Sequence, residues 1–137
     1  MGVPGSAACL LWLTVGGGGG CPALCLAEVM PTELALSAYR PRPGTSGRLL
    51  EFFAEELATL RRRGHVTERP APIVRTDAGD YLVVLEWSSE HAVGAAHEDE
   101  EVLALWERKA LLVEYIPPRD LAGSDIPFAR WTVVADV

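Results

Sequence analysis

Residues 81–87 read Tyr-Leu-Val-Val-Leu-Glu-Trp. Laid out as a strand, this run puts Tyr81, Val83, Leu85 and Trp87 on one face and Leu82, Val84 and Glu86 on the other. Only Glu86 is charged, so both faces need cover. Such a strand belongs in the middle of a sheet with protein on each side. The chain must therefore supply at least two flanking strands, a helical layer and something for the remaining face.

The flanking sequence supplies most of these. Glu33–Arg40 alternates, with Leu34, Leu36 and Ala38 on one face and Ala35, Ser37 and Tyr39 on the other. Pro41, Pro43 and Gly44 end this strand. Thr45 or Ser46 can cap a helix running to about Arg63, with Leu49, Phe53, Leu57 and Leu60 as its apolar stripe, widened by Leu50 and Phe52. Arg61, Arg62 and Arg63 fall in its last turn, where cations complement the helix dipole, and Gly64 fits the left-handed position after it. An anion site is the functional alternative for the three arginines. His65–Thr76 is extended but carries Pro70 and Pro72, as an edge or bulged strand does. Asp77-Ala78-Gly79-Asp80 turns this segment back into residues 81–87 as a hairpin. A short helix follows from Ser88 or Ser89 through Ala96. Asp99, Glu100 and Glu101 then open a longer one. Val102, Leu105, Trp106, Lys109, Val113 and Ile116 follow helical spacing in it, with the Lys109 stem covering apolar surface. Pro117-Pro118 ends that helix, and Phe128–Val134 is the last expected strand. The order β-α-β-β-α-β is the ferredoxin-like arrangement of the α+β class, an antiparallel sheet with helices on one face. The sheet's other face then needs a partner, and a second copy of the chain is the simplest one.

Composition separates two regions. Residues 1–29 hold all three Cys, seven of the 13 Gly and one charged residue, Glu28. They lack the basic start of a secretory signal and read as a disordered or mis-started leader. Residues 30–137 read as the folded domain, with Met30 as the alternative start. The net charge of −7 argues against nucleic acid or an anionic membrane surface as partner. No apolar run reaches the ~18 residues of a spanning helix. His91 and His97, with Glu90 and Glu98, invite a metal reading. Positions six apart point about 240° around a helix, however, so the two imidazoles cannot close on one ion. No metal is expected. The only glycine-rich run, Gly16–Gly20, is not followed by a helix, so no nucleotide cofactor is expected either.

Trp87 followed by Ser-x-Glu-His-Ala, Ala96-His97, Val102-x-x-Leu105-Trp106 and Pro127-Phe128-Ala129 resembles the antibiotic biosynthesis monooxygenase family over about residues 32–135. The resemblance implies a dimeric α+β barrel, a cytoplasmic homodimer, and cofactor-independent oxygenation of an aromatic polyketide or quinol-like substrate with O2. In the haem-degrading branch of that scaffold, a third-strand Trp and a helix His act with a first-strand Asn. Trp87 and His97 match the first two, but the first strand offers Ala35, Ser37 and Tyr39 where the Asn would stand. That counts against haem. A non-catalytic ligand-binding or structural dimer of the same fold is the other alternative.

The resemblance makes His97 the candidate catalytic residue, able to take a hydroxyl proton, and Trp87 a wall that stacks on a flat ring. Ser37, Tyr39 and Trp106 are candidate substrate-binding residues. Plainer roles exist for each: Trp87 and Trp106 as core, and His97 as a surface residue near a helix start.

Overall fold

The first strand, β1 (Glu33–Pro41), occupies the run expected of it and leads into helix α1 (Ser46–Arg62). The computed structural model describes residues 31–137, which form one compact unit. The segment read as a leader, 1–29, lies outside the described residues. A hairpin of β2 (Pro72–Arg75) and β3 (Tyr81–Trp87) follows, with Gly79 at φ 91° in its turn, where a side chain would be strained. Next come a short helix, α2 (Ala92–His97), and a longer one, α3 (Glu100–Leu112). Two more strands, β4 (Val113–Ile116) and β5 (Thr132–Asp136), complete an α+β fold with a five-stranded antiparallel sheet in the order β4-β1-β3-β2-β5. The α+β class and the antiparallel sheet accord with the sequence reading, and β3 lies at the centre as its doubly apolar pattern requires.

Two expected boundaries are corrected. Val113 and Ile116 do not continue the helix; they begin and end β4, which pairs with β1 from Ala38↔Ile116 to Pro41↔Val113. The cause is tertiary. The carbonyl of Leu112 accepts from the Arg42 amide at 2.9 Å and from the Thr45 hydroxyl at 2.7 Å, and the Arg42 guanidinium takes the carbonyl of Ala110 at 3.0 Å. Oxygens that would seek donors beyond a helix end find them on the β1–α1 loop, and β-favouring Val-Glu-Tyr-Ile peels onto β1. Thr45 is therefore spent on this junction and makes no side-chain cap for α1.

The last strand also differs. It is Thr132–Asp136, at the edge beside β2, and Phe128 stays exposed in the preceding loop. Because β4 and β5 occupy opposite edges, their connection has to cross the sheet, and the helices already fill one face. The connection runs over the other, where Leu121 and Trp131 pack on Ala38, Val74 and Leu82. The Trp131 indole N–H donates to the carbonyl of Ala122 at 2.8 Å. The face that the sequence left needing a partner is thus covered in part by the chain itself, with Leu82 buried under Leu121.

The main core lies on the helix side. Leu49, Phe52, Phe53, Leu57 and Leu60 of α1 and Val102 and Leu105 of α3 meet Tyr39, Ile73, Tyr81, Val83 and Leu85 of the sheet. Gly64 follows α1 at φ 79°, as expected. The three arginines before it act as cross-links: Arg61 donates to the carbonyls of Arg69 and Val137, Arg62 pairs with Glu101, and Arg63 pairs with Asp99.

Candidate functional site

Between the helix layer and the sheet lies a cavity of about 390 Å³. Its sheet wall comes from Ser37 and Tyr39 of β1 and Leu85 and Trp87 of β3. Its helix wall comes from Glu56 of α1, His97 of α2, and Trp106 and Lys109 of α3, with Tyr115 of β4 at one side. All five residues singled out from the sequence, Ser37, Tyr39, Trp87, His97 and Trp106, border this one space. Strand alternation accounts for the first three. Glu33↔Trp87, Ala35↔Leu85, Ser37↔Val83 and Tyr39↔Tyr81 are cross-strand partners whose side chains share the helix side. Trp87 is steadied on its other flank by a bridge to Val66, and the Ser88 amide donates to the carbonyl of His65 at 2.9 Å.

His97 is the last residue of α2, exposed at the rim. Its ring meets that of Trp106 edge-on, with centroids 4.8 Å apart and planes at 63°. Trp106 connects the rim with the interior, because its indole N–H donates to Glu56 Oε1 at 3.0 Å. The same oxygen accepts from Lys109 Nζ, and Lys109 Nζ lies 3.2 Å from the Tyr39 hydroxyl. Glu56, Lys109 and Tyr39 are all buried. The ammonium also lies 4.9 Å from the Tyr39 ring centroid, 5.7 Å from that of Tyr115 and 5.8 Å from that of Trp106, within cation–π range of all three. Burial works hardest against the Lys109 charge. The Glu56 carboxylate and then Tyr39 outweigh it, and its pKa stands above the ordinary lysine value. Lys109 therefore carries a full charge inside the fold across the neutral range.

The sequence reading missed the Glu56–Lys109 pair, although a signal for it existed. Buried positions on α1 run 49, 52, 53, 56, 57 and 60, so Glu56 sits in the middle of the apolar stripe. Lys109 stands likewise in line with Val102 and Leu105. A carboxylate and an ammonium at core positions of two adjacent helices must either meet or pay for isolated burial. Taking Lys109 as a covering stem missed that its head is buried along with its stem: the residue is 4% exposed.

A second polar cluster lies where α1 ends and α3 begins. Asp99 caps α3, its Oδ1 accepting from the Glu101 amide at 3.1 Å, while Oδ2 accepts from Arg63 Nε at 2.7 Å and lies 2.8 Å from His65 Nε2. The Arg63 and His65 hydrogen bonds hold the Asp99 carboxyl well below the usual carboxylate range. This cluster fixes the α2–α3 junction that carries His97. Among the described residues, no group of three or more His, Cys, Asp or Glu is placed to hold a metal ion, and no helix is long and apolar enough to cross a membrane. The chain matches no family model, no curated protein and no solved structure.

Proposed function

We propose that the cavity binds a flat, hydroxylated aromatic molecule of the aromatic-polyketide or quinol class, and that the protein acts on it as a cofactor-independent monooxygenase. One observation carries this reading: aromatic walls (Trp87 and Trp106), a rim imidazole (His97) and a buried donor cluster (Lys109 and Tyr39) border the same space. A volume of about 390 Å³ is within the range of small-molecule sites.

The chemistry asks little of the protein. A ring-activated CH2 loses a proton to leave an enolate-like anion, whose electrons reduce O2. One oxygen atom stays as a new C=O and the other leaves as water, so no external reductant is required. The protein's share is to stack the ring on Trp87, take or steady the proton through His97, and keep bulk water from the anion. Oxygen uptake on a panel of anthrones and quinols tests this directly, and no consumption on any member would overturn it. On a substrate that is turned over, His97→Ala should lower the rate by roughly 10²–10⁴-fold. Trp87→Phe should mainly weaken binding, because a smaller ring remains. An unchanged rate in His97→Ala would remove its role.

The same reading includes a homodimer joined through the sheet face away from the helices. Leu34 is 64% and Leu36 53% exposed there, on a strand whose backbone is paired with β3 from Glu33 to Tyr39, and Val84 beside Leu36 is half-buried. Edge pairing cannot cover these side chains, whereas a second copy presenting the same patch can. A stable interface of this kind buries on the order of 1,200–2,000 Å². Light scattering should give twice the chain mass, and Val84→Asp should give a folded monomer. A monomeric wild-type protein at micromolar concentration would overturn the dimer.

A further inference from the structure

We infer that the inner end of the cavity is a polar subsite, in which Lys109 and Tyr39 together hold an oxygen acceptor on the ligand's ring, most simply a ring carbonyl. The inference rests on the cavity being the ligand site and adds to it a substrate class: rings that carry oxygen at two ends.

The hydrogen-bond inventory leads there. An ammonium has three donors, and Lys109 gives one to Glu56 and one to the Tyr39 oxygen. Among the described residues no acceptor takes the third. Tyr39 accepts from Lys109, and no acceptor among the described residues takes its own O–H. Both groups border the cavity and both are largely buried, so the cavity is where their remaining donors can find an acceptor. Glu56 is the positioning residue: its carboxylate fixes the ammonium and neutralises it, so the pair presents donors without a net charge. A neutral carbonyl oxygen suits such a subsite better than a carboxylate, which would bring an uncompensated charge into the core.

The spacing then selects the ligand. Trp106 touches His97 at the rim and donates to Glu56 inside, so its indole measures the gap between the two polar ends. A flat molecule lying along that indole meets His97 with one ring substituent and Lys109 and Tyr39 with the other. A hydroxyl at the first end and a carbonyl at the second satisfy both. A ring with no inner oxygen leaves two buried donors unmet, which is how a polar site rejects an apolar analogue.

Three probes test this on the full chain, with affinities measured by calorimetry at neutral pH. 7-Hydroxychromone carries a hydroxyl and a carbonyl on opposite sides of a two-ring frame. 2-Naphthol keeps the hydroxyl and lacks the carbonyl, and chromone does the reverse. The informative quantity is the affinity ratio of 7-hydroxychromone to 2-naphthol. The double variant Glu56→Gln/Lys109→Met, which removes both charges and leaves neither unpaired, should lower that ratio about 10-fold or more, the scale of a hydrogen bond to a charged donor. Tyr39→Phe should lower it by several-fold, and 2-naphthol itself should bind the double variant and Tyr39→Phe within about threefold of the wild type, as expected when only the inner oxygen is affected. His97→Ala should weaken 2-naphthol while leaving chromone unchanged. If 2-naphthol binds and the ratio survives in both the double variant and Tyr39→Phe, the subsite is overturned and the cavity reading stands. If none of the three probes binds the wild-type protein, the cavity reading falls and takes the subsite with it.

Discussion

On the helix side of β3, Tyr81, Val83 and Leu85 meet side chains from two helices. On the other side, Leu82 meets Leu121 and Trp131 from a single connecting segment, while Val84 and the neighbouring Leu36 are covered only in part. The two faces carry similar residues, so their different fates come from what crosses them. A helix brings a stripe of large side chains every turn and builds a layer thick enough to enclose a cavity and an ion pair. A connecting segment brings two anchors and stops. The cavity and the ion pair therefore lie on the thick side, while Leu34 and Leu36 stay exposed on the thin one.

Removing one anchor from each side tests this difference directly. Phe53 is fully buried among Tyr39, Phe52 and Tyr81, its ring centroid 5.3 Å from that of Tyr39 and 6.0 Å from that of Tyr81. Phe53→Ala should destabilise by about 3–5 kcal/mol in urea denaturation. Leu121→Ala on the thin side should cost about 2 kcal/mol, the low end for a buried leucine, since the segment above it can settle into the space. Equal losses would mean that the connecting segment packs as a helix does.

The ion pair sharpens the contrast, since only the thick side can hold it. Lys109→Met leaves Glu56 buried without its cation and should cost about 3–5 kcal/mol. Adding Glu56→Gln should recover most of that, because a well-packed neutral pair replaces a charged one. A single variant as stable as the wild type would show that Glu56 reaches water by some other path.

How far the sequence could be read follows the same division. The strand pattern at 33–40 and 81–87 and the helix stripe at 49–60 were legible, because periodicity reports which side of an element is buried. Trp87, His97 and Trp106 were singled out by residue type, and the fold brings all three to one cavity. The end of α3 was not, because Leu112 stops the helix through donors on the Arg42–Thr45 loop, some 70 residues earlier in the chain. The course of residues 117–131 over the sheet was not legible either: no local period marks Leu121 and Trp131 as anchors. Glu56 and Lys109 were visible as charges on apolar stripes, but pairing them required knowing that α1 and α3 lie side by side.

The smallest effect concerns how the helix layer is closed at its end. Asp99 joins the start of α3 to Arg63 at the end of α1 and to His65 just beyond it, and among the described residues nothing comparable spans the connecting segment on the thin side. Its carboxyl is held below the ordinary range in the fold, first by Arg63 and then by His65. The unfolded chain therefore takes up this proton first. The stability that Asp99 contributes is complete above the unfolded carboxyl value, about 4, and is lost as pH falls below it toward the folded value. Asp99→Asn keeps an oxygen able to cap α3 and removes the charge, so it should melt below the wild type at pH 7. The gap should narrow steadily in thermal melts between about pH 4 and pH 3 as the wild-type carboxylate loses its advantage. Comparing the two proteins at each pH cancels the other carboxylates. A gap that stays constant down to pH 3 would mean that the Asp99 charge does not hold the helix layer together and that its cap alone matters.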